Sequence, residues 1–121
     1  MADSLALGDM TASIHVVPVN ELNFETEVVQ SQVPVFVDVS AAWCGPCKAA
    51  RPVVAELAER HHGALKVVEI DGDESPDLVA RLGVRGFPTF LGLLKGEIVE
   101  RRAGFGGKRP LDELAASLVS R

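Results

Sequence analysis

The sequence has few basic residues and no long apolar segment. Lysine and arginine together number 12 against 17 aspartate and glutamate residues, which gives a formal net charge of −5 at pH 7. A general nucleic-acid binder, or a protein that binds acidic membranes, would show a basic face. No apolar run approaches the length of about 20 residues that a membrane helix requires. We therefore expect neither a nucleic-acid partner nor a membrane partner.

Cysteine is also scarce, because Cys44 and Cys47 are the only two. A chain of 121 residues can bury roughly 65% of its unfolded surface, so folding requires no metal or disulfide framework. Closing a loop as short as the one between these cysteines constrains the unfolded chain by only about 2 kcal/mol in the entropic model. The pair is therefore poorly placed as a structural crosslink.

The start of the chain lacks the features of a targeting segment. Residues 1–13 contain no lysine or arginine and only a short apolar stretch, which fits neither a secretory signal nor a transit peptide. We expect a flexible N-terminal tail over residues 1–13 and a single domain over residues 14–121. A chain with only two cysteines and without a recognisable secretory signal is typical of a reducing compartment. We therefore expect a cytoplasmic protein, and a monomer.

Hydrophobic patterns predict alternating strands and helices. The predicted strands are 14–17, 33–39, 65–71, 86–94 and 97–102, and the predicted helices start at Asn20, Cys44, Ser75 and Pro110. The order β-α-β-α-β-α-β-β-α indicates an α/β fold with a central mixed five-stranded sheet and helices on both faces.

The predicted helices carry several end and break signals. Asn20 would cap the first, with Leu22, Phe24 and Val28 on its apolar side, and Ser75 would cap the third. Pro52 lies inside the second, which should run to about residue 62. A proline there removes a hydrogen bond and bends the helix at a cost of about 3 kcal/mol. Two separate helices are the alternative.

The two cysteines follow an apolar strand and begin a helix. Unpaired N–H groups and the positive end of the helix dipole stabilise a thiolate there. Residues three apart lie on the same helix face. We predict that Cys44, at the exposed start of the helix, is the nucleophile and that Cys47, one turn deeper, is the resolving thiol. An inert pair and half of a zinc site are the alternatives, but zinc takes four ligands and no histidine stands at zinc-site spacing.

Asp38 is the polar exception in a strand that is apolar on both faces. Burial disfavours the charged form, so the pKa of this carboxyl should be raised. Asp38 could exchange a proton with Cys47, directly or through water. The alternative is a polar residue satisfied at the end of the strand.

The segment Trp43-Cys44-Gly45-Pro46-Cys47-Lys48, set in this order of elements, resembles the thioredoxin family from about residue 14 to 120. Further matches are Asp38 six residues before the first cysteine, Pro52 in the helix, Gly86-Phe87-Pro88-Thr89 after the third helix, and Gly104 near the end of the last strand. The resemblance implies a thioredoxin fold and general protein-disulfide reductase activity that maintains cell redox homeostasis. It also implies a cis peptide bond before Pro88. The chain departs from the family pattern at Val39-Ser40, Val67 and Phe105.

The resemblance also implies a partner-binding face beside the dithiol. Its members would be Trp43, Gly45, Pro46, Phe87, Pro88, Gly104 and Phe105. An ordinary core tryptophan is the alternative for Trp43. An extended peptide could pair with exposed backbone at Phe87 and present its disulfide to Cys44.

The expected partners are disulfide-containing target proteins and a separate reductase of the thioredoxin-reductase type as electron donor, because this sequence has no nucleotide- or flavin-binding loop. We expect no cofactor or metal beyond a redox-active disulfide between Cys44 and Cys47. Two other functions are weighed against the reductase: a binding module or holdase with incidental cysteines, and a disulfide oxidant or isomerase. The Gly45-Pro46 pair resembles the reducing members of the family.

Overall fold

A computed structural model describes residues 13–121. Apart from Ser13, the predicted N-terminal tail lies outside the described residues. The strands are β1 Val16–Val19, β2 Val35–Ser40, β3 Lys66–Asp71, β4 Thr89–Leu94 and β5 Glu97–Ala103. The helices are α1 Gly45–Arg60, α2 Pro76–Arg81 and α3 Lys108–Val119, and a short π-helical segment spans Glu25–Val29. The predicted order of elements is confirmed.

The five strands form one sheet in the order β1-β3-β2-β4-β5. Strand β3 pairs in parallel with both β1 and β2, whereas β4 pairs antiparallel with both β2 and β5. The sheet is therefore mixed, as predicted, and β2 occupies its centre.

Both faces of β2 are buried, as its unbroken apolar pattern predicts. Val37 and its neighbours on one face pack with Phe24 and Val28 from the segment after β1. Phe36, on the other face, packs with Leu57 of α1 and with α3. The strand that leads to the cysteines is thus fixed from two sides.

The first strand begins two residues later than predicted and includes Pro18. Pro18 is exposed, and β1 is an edge strand that pairs only with β3 among the described strands. An edge position tolerates a residue with no N–H to donate. The predicted edge placement is confirmed, although the predicted end before Pro18 is wrong.

Asn20 makes the hydrogen bonds of the predicted cap, but the residues directly after it form a turn, and the short helical segment begins only at Glu25. Its Oδ1 accepts hydrogen bonds from the N–H groups of Leu22, at 2.8 Å, and Asn23, at 3.3 Å. The turn directs Leu22 outward, where it is 93% exposed, so the prediction that Leu22 lies on an apolar helix face is wrong. Phe24 and Val28 are buried as predicted.

The remaining helices follow the prediction with shifted ends. Helix α1 runs through Pro52 without a break, which excludes two separate helices. Ser75 stands at the N-cap of α2 and Pro76 opens the helix, as predicted, although the Ser75 side chain makes no capping hydrogen bond. Helix α3 begins two residues before Pro110. Within residues 13–121, no helix combines the length and hydropathy needed to span a membrane.

Candidate active site

The two cysteines lie at the N-terminus of α1 and are joined as a disulfide with a Cα–Cα distance of 5.2 Å. Cys44 is the N-cap residue in an extended conformation, and its Sγ accepts a hydrogen bond of 3.2 Å from the N–H of Cys47. Gly45 and Pro46 form the first turn, where a proline costs no intrahelical hydrogen bond. A free N–H group of the helix thus points at Cys44, as the sequence predicts.

Both sulfur-bearing residues are largely covered, because Cys44 and Cys47 are each only 4% exposed. They pack in a small cluster with Ala41 and the partly buried Phe87. The prediction that Cys44 is exposed is therefore wrong. Phe87 lies in a loop far along the chain, so the sequence around the cysteines does not predict that Phe87 covers them.

The loop before β4, which carries Phe87, also forms part of the site. The peptide bond between Phe87 and Pro88 is cis, as the family resemblance implies. Thr89 Oγ1 donates a 2.7 Å hydrogen bond to the carbonyl of Gly86, and the N–H of Gly104 donates a 2.8 Å bond to the carbonyl of Pro88. The loop is thus tied to the end of β5. Gly104 has φ +80°, a conformation that favours glycine.

Trp43 extends outward beside the dithiol and is 69% exposed. Its ring stands edge-on to Phe87, with centroids 6.0 Å apart, and its Nε1 donates a 2.8 Å hydrogen bond to Oδ2 of Asp73. This exposure excludes the alternative of a core tryptophan. Gly45 and Pro46 are also exposed.

A groove of about 360 Å³ continues this surface beyond the cis-proline loop. Phe87, Pro88 and Gly104 line it together with Arg85 and Arg101. Phe105 packs instead against the core cluster of α1 and α3. The structure therefore brings most of the predicted face together around the disulfide, whereas Phe105 faces the core.

Asp38 lies at the centre of β2 and is 3% exposed. It is on the same face as Phe36, and this face packs against α1, the helix that carries Cys47. Its Oδ1 has no hydrogen-bond partner among the described residues, so the protein itself does not satisfy this carboxyl oxygen. Burial raises the pKa of Asp38 to about 8; the nearby charge of Glu69 adds to this shift and that of Arg51 opposes it.

Three polar residues near Asp38 were not predicted from the sequence. Glu69 is the register partner of Asp38 on β3, and its Oε2 lies 3.3 Å from Ser40 Oγ and 3.8 Å from an Arg51 nitrogen. Val67, two residues before Glu69, is buried in the core. Side chains alternate along a strand, so Glu69 lies on the same buried face of β3 as Val67. This alternation is the signal that would have identified Glu69 from the sequence.

No group of three or more histidine, cysteine, aspartate or glutamate side chains within residues 13–121 is arranged to hold a metal ion.

A bridged cysteine pair at a helix N-terminus, facing a cis-proline loop in this α/β sheet, defines a dithiol–disulfide oxidoreductase.

Comparison with known proteins agrees with this class. The family model described as Thioredoxin matches residues 15–120. The thioredoxin of Pyropia yezoensis is 40% identical over 102 residues, which cover 84% of this chain and 95% of that protein. Thioredoxin 1 of a Nostoc species is 39% identical over 95 residues, covering 78% and 89%. The thioredoxin of Pseudomonas aeruginosa is 39% identical over 99 residues, covering 82% and 92%.

The chain belongs to the thioredoxin family. Its activity is that of a protein-disulfide reductase.

Proposed function

We propose that Cys44 is the attacking thiolate and Cys47 the resolving thiol of this reductase. In the reduced protein, Cys44 attacks one sulfur of a target disulfide, and the other target sulfur leaves as a thiolate. This step forms a mixed disulfide between Cys44 and the target. The observation that carries the assignment is the N–H of Cys47 directed at Cys44 Sγ, because a backbone donor at a helix N-terminus favours a thiolate.

In the second step, Cys47 attacks Cys44 Sγ in the mixed disulfide. The disulfide Cys44–Cys47 forms, and the second target sulfur leaves as a thiolate that takes up a proton. Two electrons have then passed from the dithiol to the target. Cys47 must lose its proton before it attacks, and we propose Asp38 as the group that accepts it, directly or through water. The raised pKa of about 8 suits a proton acceptor that works near neutral pH.

The proposed target-binding face consists of Trp43, Gly45, Pro46, Phe87, Pro88 and Gly104, with Phe105 supporting it from the core side. An extended segment of the target would lie across Pro88 and place its disulfide against Cys44. Two features support this face: the exposure of Trp43 and the groove lined by Phe87, Pro88 and Gly104. Such a surface recognises shape and backbone, which suits many different targets.

We propose that a separate reductase of the thioredoxin-reductase type returns electrons to Cys44 and Cys47, and that the chain itself needs no cofactor or metal. We further propose that the protein works as a monomer in the cytoplasm, where thiols are kept reduced. Targets are proteins whose disulfides must be reopened in that compartment.

The test is the reduction of insulin by dithiothreitol with and without this protein. We expect a clear acceleration from the native chain and none from the variants Cys44→Ser and Cys47→Ser. Asp38→Asn should slow turnover several-fold while both cysteines still form a disulfide. An unchanged rate with Asp38→Asn would contradict the proton-transfer role, and activity retained by Cys44→Ser would contradict the nucleophile assignment.

A further inference from the structure

A cavity of about 430 Å³ opens at the carboxyl ends of β2 and β3, next to the dithiol. Much of its wall is formed by residues at or just after these strand ends: Ser40, Ala41, Ala42, Asp71, Glu74 and Ser75. Ala41 also packs in the cluster that contains Cys44 and Cys47. The cavity therefore adjoins the disulfide.

The chain leaves β2 and β3 towards opposite faces of the sheet. Helix α1 follows β2 and packs on one face through Leu57, whereas α2 follows β3 and packs on the other face through Leu78. In open α/β sheets, ligands bind in the crevice at the carboxyl ends of neighbouring strands whose connections diverge in this way. The cavity lies in this crevice, which is a position where a ligand is expected.

The cavity is open because the wall residues at and after the end of β2 are small, namely Ser40, Ala41 and Ala42. Ser40 is one of the positions at which the chain departs from the thioredoxin family pattern. The resemblance to that family therefore does not imply this cavity.

The cavity wall carries an excess of negative charge. Among the described residues that line it, Glu69, Asp71 and Glu74 carry carboxylates, and Arg51 carries the one guanidinium. Arg51 lies 3.8 Å from Glu69, so these two charges offset each other. Glu74 is exposed and forms no ion pair within residues 13–121. The wall thus favours a cationic ligand.

A buried hydroxyl group in the same wall lacks a partner. Ser75 is 1% exposed, and its Oγ makes no hydrogen bond in the part of the chain that the structure describes. A buried polar group without a partner costs free energy. A ligand with several N–H donors would offer partners to this hydroxyl and to the carboxylates beside it.

We propose that this cavity binds a basic side chain of a target protein whose disulfide lies against Cys44. The aliphatic part of that side chain would pack against Pro18 and Val19, and its cationic group would bind Asp71 and Glu74. Arginine suits the cavity best, because its planar guanidinium presents five N–H donors in a fixed arrangement. The inference rests on the proposed function and adds a substrate class, namely targets with a basic residue a few positions from the reacting cysteine.

The test uses matched peptides that each contain one disulfide. Each peptide carries a single arginine at one position about two to six residues from the reacting cysteine, an interval set by the advance of about 3.3 Å per residue in an extended chain. Its partner carries citrulline, the uncharged analogue of arginine, at the same position. At the position that reaches the cavity, we expect kcat/KM to be about two- to fivefold higher for the arginine peptide, and this preference should shrink at high salt.

Two variants separate the charge of the cavity from its space. Glu74→Gln should reduce the preference for arginine and leave kcat/KM for the citrulline peptide unchanged. Ala42→Leu keeps the charge but fills part of the cavity, and it should also reduce the preference. Both positions are exposed, so both variants should fold. The ratio between the two peptides is measured within each variant, which cancels any effect common to both.

Two controls remove a carboxylate outside the cavity wall. Asp77→Asn acts at an exposed position in the first turn of α2, close in sequence to Glu74. Glu97→Gln acts at an exposed position at the start of β5, on the edge of the sheet opposite β1. Both controls should leave the preference for arginine near its native value.

Equal kcat/KM for the arginine and citrulline peptides at every position would overturn the proposal. A native preference retained by Ala42→Leu would also overturn it, because attraction without occupation of the cavity explains that result. The same holds for a native preference retained by Glu74→Gln. Failure of the proposed function has a different signature: the native protein would then reduce neither peptide faster than Cys44→Ser does.

Discussion

The indole Nε1 of Trp43 donates a 2.8 Å hydrogen bond to Oδ2 of Asp73, in the loop that follows β3. The ring is 69% exposed, so this bond and the edge contact with Phe87 orient it beside the dithiol. An exposed aromatic side chain that is already ordered loses less conformational entropy when a partner binds it.

Asp73→Ala should therefore weaken target reduction. Ordering one free side chain costs about 0.5–1.5 kcal/mol, so we expect kcat/KM to fall by about two- to tenfold. Fluorescence of Trp43, the only tryptophan, should shift to longer wavelength as the indole becomes more mobile. Asp73→Asn is the matched control, because its amide oxygen still accepts the bond without the charge. Equal losses in both variants would show that charge, and not the hydrogen bond, is responsible.

Replacement of Cys44 and replacement of Cys47 should have different chemical results. Cys47→Ser retains the nucleophile but cannot resolve the mixed disulfide, so it should accumulate a covalent adduct with insulin that reducing agent releases. Cys44→Ser should form little adduct. Non-reducing electrophoresis with mass spectrometry measures both. Accumulation in Cys44→Ser equal to that in Cys47→Ser would reverse the assigned roles.

The stability of the oxidised protein should depend on Asp38. Because its pKa is raised from 3.8 to about 8, the folded state keeps a proton that the unfolded state releases. Stability should then fall as the pH rises from about 4 to about 8 and stay level above that range. Asp38→Asn removes this loss of stability, which has an upper limit of about 6 kcal/mol.

Urea denaturation of both proteins at several pH values measures the effect. The native protein and Asp38→Asn should differ least at about pH 4 and most at about pH 8. Glu97→Gln, at an exposed site, controls for the change in net charge. Parallel stability curves for the native protein and Asp38→Asn would contradict the raised pKa.

Gly72 allows Phe87 to pack over the cysteines. A Cβ atom at Gly72 would collide with Cε1 and Cζ of the Phe87 ring, whereas a Cβ at Gly86 would meet nothing within 4 Å. Gly72→Ala should therefore displace the ring, cost about 1–3 kcal/mol of stability and slow target reduction. Gly86→Ala, in the same loop as Phe87, is the control. Native stability and rate in Gly72→Ala would contradict the role of this contact.

The sequence predicts the fold well where a pattern extends over a whole element. The buried strand β2 and the helix through Pro52 follow from apolar runs and helical spacing, because burial on both faces leaves little choice of residue. Local polar signals are weaker guides. Asn20 and Ser75 both stand where a cap is predicted, but a turn separates Asn20 from its helical segment, and the Ser75 hydroxyl is buried without a capping hydrogen bond.

The chemistry of the site is also predicted better than its surroundings. The spacing of Cys44 and Cys47 predicts that both residues lie on one turn, and the structure joins them as a disulfide there. Their burial depends on Phe87, which reaches them through the tertiary fold. The position of Glu69 beside Asp38 depends on the register of β2 and β3, which a single strand pattern does not fix.

The central place of β2 between β3 and β4 has a consequence for protein synthesis. A ribosome completes Cys44 and Cys47 well before it adds Phe87 and Pro88, and β4 must then align antiparallel to β2 to bring them over the sulfurs. A growing chain that ends at β3 therefore carries both thiols without their cover. We expect the thiols of such a partial chain to be oxidised less selectively than those of the folded domain, in which Phe87 covers them.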